Sequence, residues 1–163
     1  MCPGSYDPVT WGHLNIIQRC AGLFDKVIVV ALVNSEKKYA FSSAERVEML
    51  EMVTADLPNV EVDQYGGLVA DYARERGACA LVKGLRAVTD FEYEFQMALI
   101  NKKLMPDLES VFITTDARFM YLSSSAVKEV ARFGGDLSDF VPPQLEQTIL
   151  NRLNPKANRE VAL

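Results

Sequence analysis

The 163-residue chain carries one histidine, one tryptophan and three cysteines, and each shortage closes off a class of chemistry. Cys2, Cys20 and Cys79 are odd in number and lack C-x-x-C spacing, which fits reduced thiols in a cytoplasm better than a disulfide framework or a zinc site. The sole histidine, His13, has no evident acid to orient it, so no Ser-His-Asp set is convincing, and no metal-ligand cluster is visible. No apolar run is long enough to span a bilayer, and no secretion signal is apparent. The nucleotide patterns G-x-x-x-x-G-K-[ST] and G-x-G-x-x-G are both missing. Positive charge is in deficit: 17 Lys and Arg against 22 Asp and Glu leave a net charge of −5. That balance disfavours nucleic-acid or anionic-membrane binding, so any anion site must be local.

What is present is an ordinary globular composition, 49% hydrophobic and 24% charged, in one expected domain over 1–154 with a frayed tail over 155–163. There is no repeat, low-complexity stretch or linker. Val27 to Val33 is a continuous apolar, β-branched run, which predicts a strand buried on both faces. Ser42 and Glu45 form a capping-box pattern ahead of a helix burying Val47, Leu50 and Val53. Val60 and Val62 mark a short strand, Gly66-Gly67 a break, and a helix then runs to Gly77. Cys79 to Val82 predicts another buried strand. Thr89 and Glu92 repeat the capping-box pattern before a helix expected to bury Phe91, Phe95 and Leu99. Ser110 to Thr115 predicts a strand, Ser123 to Ser125 open a helix stopped by Gly134-Gly135, and Pro142-Pro143 precede the last one. Alternating strands and helices predict a Rossmann-like, doubly wound parallel sheet of five strands with helices on both faces. Only Met1 and Cys2 precede the first loop, so a strand that this topology places at the centre is almost missing.

The stretch Pro3-Gly4-Ser5-Tyr6-Asp7-Pro8-Val9-Thr10-Trp11-Gly12-His13 is turn-rich and leads into Leu14, Ile17, Ala21 and Phe24 at helical spacing. His13 therefore falls in the first turn of a helix, as an exposed residue with little packing. Unpartnered N–H groups and the positive dipole end favour phosphate there. A lone histidine is most often an ordinary surface residue; Gly12 beside it and the constrained loop before it reverse that reading. In open α/β sheets ligands bind beyond the carboxyl ends of the strands. Ser5, Thr10, His13, Lys37, Lys38, Lys83, Arg86, Ser123, Ser124, Ser125 and Lys128 all map to that edge. Each lysine alone reads equally well as a solvated surface group; the set collected on an acidic protein points to a phosphorylated ligand.

Thr10-x-Gly12-His13 resembles the T/H-x-G-H motif of the nucleotidylyltransferase superfamily, and Leu122-Ser123-Ser124-Ser125-x-x-Lys128 resembles its second motif. Lys83-Gly84-Leu85-Arg86 followed by Asp90-Phe91-Glu92-Tyr93-Glu94-x-Gln96-Met97-Ala98 is similar to the bacterial phosphopantetheine adenylyltransferases in particular, and the likeness runs from Pro3 to about Leu153. The resemblance implies transfer of the adenylyl group of ATP to 4′-phosphopantetheine, with Mg²⁺ accompanying ATP, a cytoplasmic homohexamer, and feedback binding of coenzyme A. It implies a catalytic set of His13, Lys37, Arg86 and Ser125. The implied nucleotide site is Ser5, Tyr6, His13, Gly84, Leu85, Arg86, Glu94, Phe119, Met120, Tyr121, Leu122, Ser123, Ser124 and Ser125. The implied acceptor site is Ser5, Lys37, Leu68, Val69, Lys83 and Asn101. Ser5 stands where threonine also occurs in this family and Lys83 where arginine also occurs, which exchanges a bidentate fork for a point charge. A sister enzyme acting on nicotinamide mononucleotide or glycerol phosphate, and a non-catalytic nucleotide sensor, are the rival readings. The K-G-L-R and D-F-E-Y-E segments speak against the first, the retained motifs and cations against the second.

Overall fold

The computed structural model describes residues 1–154; the expected tail lies outside the described residues. In chain order the elements are β1 (Cys2–Gly4), α1 (Trp11–Leu23), β2 (Val27–Leu32), α2 (Ser43–Thr54), β3 (Val60–Tyr65), α3 (Val69–Glu75), β4 (Ala80–Leu85), α4 (Val88–Leu104), β5 (Glu109–Thr114), a 3-10 turn (Ala117–Phe119), α5 (Ser124–Arg132) and α6 (Pro143–Leu153). All strand pairs are parallel. Val29, Val30 and Ala31 of β2 are wholly buried, as a strand covered on both faces requires. Their alternation divides two cores. Val27, Val29 and Ala31 join Ile17 of α1, Leu50 of α2, Val127 of α5 and Ile149 of α6. Ile28 and Val30 join Tyr72 and Ala73 of α3, with Leu81 and Leu108. Helices thus cover both faces, as the alternating pattern predicts.

The strands form two sheets, β1-β2-β3 and β4-β5, rather than the expected single sheet of five. The sheets meet at Met1, whose backbone nitrogen donates to the Ala80 carbonyl at 2.8 Å and whose carbonyl accepts from Val82 N–H at 2.8 Å. The ladder goes no further because β1 has three residues and its middle one, Pro3, has no N–H to donate.

Helix α2 starts with the predicted capping box: Ser42 Oγ accepts from Glu45 N–H and the Glu45 carboxylate accepts from Ser42 N–H. Helix α4 departs from expectation twice. It begins at Val88, so Thr89 and Glu92 form no capping box and Ala87 supplies no side-chain cap. Asp90 instead reaches back to the backbone N–H of Arg86 at 3.1 Å. Phe91, Phe95 and Leu99 are 40%, 46% and 56% exposed, and the one buried residue of the helix is Asn101. The spacing of the apolar residues is helical as predicted, but apart from the edge-on contact of Phe91 with Phe112 of β5 the described residues leave much of their surface open.

Candidate active site

The loop after β1, the start of α1, the ends of β2 and β4 and the start of α5 surround a cavity of about 630 Å³. It lies beyond the carboxyl ends of the strands, where an open α/β sheet exposes helix N-termini and loops together. Ser5, Tyr6, His13, Lys37, Lys83, Gly84, Arg86, Glu94 and Leu122 to Ser125 line it.

His13 is the third residue of α1 and closes its N-terminus. Thr10 Oγ1 accepts from the His13 backbone N–H at 3.3 Å, and His13 Nδ1 accepts from the Thr10 backbone N–H at 3.1 Å. This is a capping box with imidazole in the place usually held by Glu or Gln. A backbone N–H can only donate, so Nδ1 carries no proton and the neutral ring bears its hydrogen on Nε2. Burial, reinforced by the positive charge of Arg86, lowers the pKa of His13 from 6.5 to about 4. The ring also meets Tyr6 edge-on, with centroids 5.1 Å apart at 68°. His13 is thus half-buried and packed, where the sequence suggests an exposed residue.

Tyr6 is buried, has a left-handed backbone (φ 51°) and donates from its hydroxyl to the Cys2 carbonyl at 2.9 Å. Burial is the main force raising its pKa, so the phenol stays protonated. A β-carbon on Gly4 would sit 2.9 Å from the Tyr6 ring, so this glycine makes room for the turn.

The cations are held by named partners. Arg86 donates to the Leu122 carbonyl at 2.7 Å and grips Asp90 with two guanidinium nitrogens, at 3.1 and 3.2 Å. Burial opposes the charge on Asp90, but the hydrogen bonds from Arg86 outweigh it and hold its pKa below the ordinary value. Lys83 Nζ lies 3.2 Å from Glu94 and 3.4 Å from the Pro3 carbonyl. Lys128, grouped by sequence with the ligand-facing cations, is turned to the buried Asp7 at 2.9 Å. Ser123 caps α5 by accepting from Ala126 N–H at 3.1 Å, and Ser124 ties α5 to the first loop through the Pro8 carbonyl at 2.8 Å. Exposed Lys37 reaches the cavity from the loop after β2.

Several expected site residues lie off this cavity. Leu68, Val69, Leu85, Asn101, Phe119, Met120 and Tyr121 do not line it; Phe119 and Tyr121 border a second opening with Trp11, and Asn101 is buried within α4. Thr115, Thr89 and Asp90 line the cavity although the sequence assigns them no role in a site. Asp90 belongs to the quoted D-F-E-Y-E segment, and its spacing of four from Arg86 was the available signal. Buried Arg46, whose Nη1 donates to the Ser5 and Leu32 carbonyls, gave none: an arginine in a helix pattern reads as a solvated face.

Comparison with known proteins gives the family. The cytidylyltransferase-like family matches residues 1–130. The phosphopantetheine adenylyltransferase of Caldanaerobacter subterraneus subsp. tengcongensis is 55% identical over 150 residues, which covers 92% of this chain and 94% of that one. That of Desulforudis audaxviator is 55% identical over 150 residues, covering 92% of each. Among solved structures, the nicotinic acid mononucleotide adenylyltransferase of Plasmodium falciparum complexed with NaAD superposes with a TM-score of 0.63 at 13% identity, over 96% of this chain and 94% of that one. At that identity the likeness concerns the fold alone. Sequence identity, both nucleotidylyltransferase motifs and their meeting around one cavity lead to the same place: the chain belongs to the phosphopantetheine adenylyltransferases of the cytidylyltransferase-like family.

Proposed function

We propose that this chain transfers the adenylyl group of ATP to 4′-phosphopantetheine, giving dephospho-coenzyme A and pyrophosphate. An oxygen of the acceptor phosphate attacks the α-phosphorus in line; the bond to the bridging oxygen breaks, and pyrophosphate leaves with its electron pair. The observation that carries this reading is a cavity that gathers His13, Lys37, Lys83, Arg86 and the serines opening α5. Its one hydroxyl–imidazole contact among the described residues, Thr10 Oγ1 at 3.0 Å from His13 Nδ1, belongs to the cap of α1, and the acceptor phosphate brings its own anionic nucleophile. What remains is to hold two anions together in line, a task for cations and N–H donors.

The neutral His13 donates Nε2–H to an oxygen on the α-phosphorus. Lys37 spans the reacting phosphates, Lys83 meets the acceptor after leaving Glu94, and Arg86 and Ser125 hold the nucleotide phosphates beside the α5 N-terminus. Mg²⁺ accompanies ATP. Among the described residues no cluster of three His, Cys, Asp or Glu side chains is placed to hold a metal. Asp90 and Glu94 are occupied by Arg86 and Lys83. That donor set suits an ion carried by phosphate oxygens and water, where it would neutralise phosphate charge. Coenzyme A, which shares both halves of the product, would compete at the same cavity. The family resemblance implies a cytoplasmic homohexamer, and the exposed apolar residues of α4 support self-association in which other copies cover them.

The test is pyrophosphate release from ATP with each of several acceptors. Rapid release with 4′-phosphopantetheine and very little with pantetheine is expected, because Lys37 and Lys83 would have no phosphate to meet. Equal turnover of the two overturns the acceptor assignment. Preference for nicotinamide mononucleotide or glycerol phosphate identifies a sister enzyme, and ATP binding without release identifies a sensor.

A further inference from the structure

Asp7 belongs to the first loop, yet its bonds leave that loop. The residue is 3% exposed. Its Oδ1 accepts from the backbone N–H of Phe41 at 2.9 Å and of Ala40 at 3.1 Å, and its Oδ2 accepts from the Lys128 ammonium at 2.9 Å. Ala40 and Phe41 end the segment that carries Lys37, and Lys128 lies in the helix opened by Ser123 to Ser125. The other end of the Lys37 segment is also fixed. Arg46 Nη1 donates to the Leu32 carbonyl at 2.9 Å, and its guanidinium lies 4.1 Å from the centroid of the Tyr39 ring. The Tyr39 hydroxyl in turn donates to the Leu32 carbonyl at 3.3 Å and accepts from Asn34 N–H at 3.1 Å. Between these anchors Asn34 to Lys38 are exposed.

A bare carboxylate this close to a polyphosphate site would repel the substrate. Lys128 neutralises it, so what Asp7 offers the site is geometry. We infer that Asp7 is a positioning residue for adenylyl transfer: it ties the far end of the Lys37 segment to α5, so that Lys37 and the α5 serines address the same phosphates. The inference rests on the role proposed above for Lys37. Asp7 touches no reacting atom; it acts through the placement of another side chain.

A double-mutant cycle with Lys37→Met tests this. A misplacement of about 1 Å at a reacting centre costs about 10²-fold, and Asp7→Ala is expected to lower kcat by that order. Asp7→Asn, which keeps an oxygen for the two amides but loses the ion pair, falls between Ala and wild type. In the Lys37→Met background Asp7→Ala is expected to change kcat by no more than about twofold, since the group it positions is gone. A purely structural role would not produce that non-additivity. If the full loss persists in the Lys37→Met background, Asp7 does not act through Lys37, and the inference fails while the role of Lys37 stands. If Lys37→Met alone leaves kcat unchanged, the role of Lys37 and this inference fall together. Melting curves accompany each variant, and if Asp7→Ala does not fold, Asp7→Asn replaces it in the cycle with the same two outcomes.

Discussion

His13 combines two duties that pull its substitution in different directions. As a cap it accepts the Thr10 N–H through Nδ1; as a donor it presents Nε2–H to substrate. The cap needs the neutral ring, whereas Nε2–H is donated in either protonation state; burial with Arg86 nearby keeps the ring neutral down to about pH 4. Because the folded-state pKa lies below the ordinary 6.5, the unfolded chain binds this proton first. The stability held by the neutral ring is complete above that value, declines as pH falls through the interval, and is lost below about 4. As the chain has one histidine, its imidazole resonances need no assignment, and an NMR titration of the unliganded protein should show a midpoint well below 6.5; a midpoint at or above it would contradict the buried, capped arrangement. His13→Ala is expected to lower kcat by about 10²–10³ with a much smaller change in ATP affinity, the usual cost of losing one transition-state donor. Its stability should also fall, by about 1 kcal/mol, for the lost cap. The sequence alone suggests no such cost, because an imidazole in a capping box has no standard signature. Steady-state kinetics, ATP titration and a melting curve separate the two effects, and a loss confined to ATP affinity would make His13 a binding residue only.

At the scale of elements, the site depends on how closely α1 lies on β4. A β-carbon on Gly84 would come within 2.8 Å of Ile16 Cγ1, so glycine here sets the helix-to-strand distance and hence the position of the His13 turn. Gly84→Ala is expected to destabilise the fold by about 1–3 kcal/mol through overpacking and to lower kcat as α1 shifts; thermal melting and kinetics check both, and an unaltered variant would show that Ile16 simply moves aside. Elements whose signal is local were legible from sequence. The apolar run of β2, the Ser42-Glu45 cap of α2 and the serine cap of α5 each need only neighbouring residues. Elements whose partners are distant were misread. From sequence alone Lys128 reads as ligand-facing, because its partner Asp7 is 121 residues away in the chain. The sequence pattern puts the start of α4 at Thr89 and Glu92, whereas the Arg86–Asp90 fork decides it. The two motif loops and their meeting at one cavity were readable; the anchors behind them, Asp7 and Arg46, were not, since neither spacing nor composition marks a buried charge that binds backbone.

Taken whole, the molecule brings Lys37, Lys83 and Arg86 to one cavity and exposes a run of apolar residues on one helix. Val88, Phe91, Tyr93, Phe95, Leu99, Ile100 and Leu104 of α4 are each at least 40% exposed, while Asn101 is buried. A helix apolar around most of its circumference is normally enclosed, and a patch of this extent on a lone chain marks an interaction surface. Phe91 already stacks on Phe95 with centroids 5.5 Å apart and meets Phe112 of β5 edge-on, so the patch is a preformed surface. Closed symmetric assembly of identical chains is the commonest way to bury such a face. Helix α4 also carries Asp90, Tyr93 and Glu94 along the cavity, so covering its outer face would stiffen the wall that holds Arg86 and Lys83. Light scattering at assay concentration is therefore expected to give a mass near that of a hexamer of 18.2 kDa chains. Leu99→Glu with Ile100→Glu, outside the cavity lining, should give a smaller species with lower activity, because a buried unpaired carboxylate opposes the contact. A monomeric wild type would refute the proposed assembly, and a charged α4 variant that retains full mass would show that other surfaces hold the copies together.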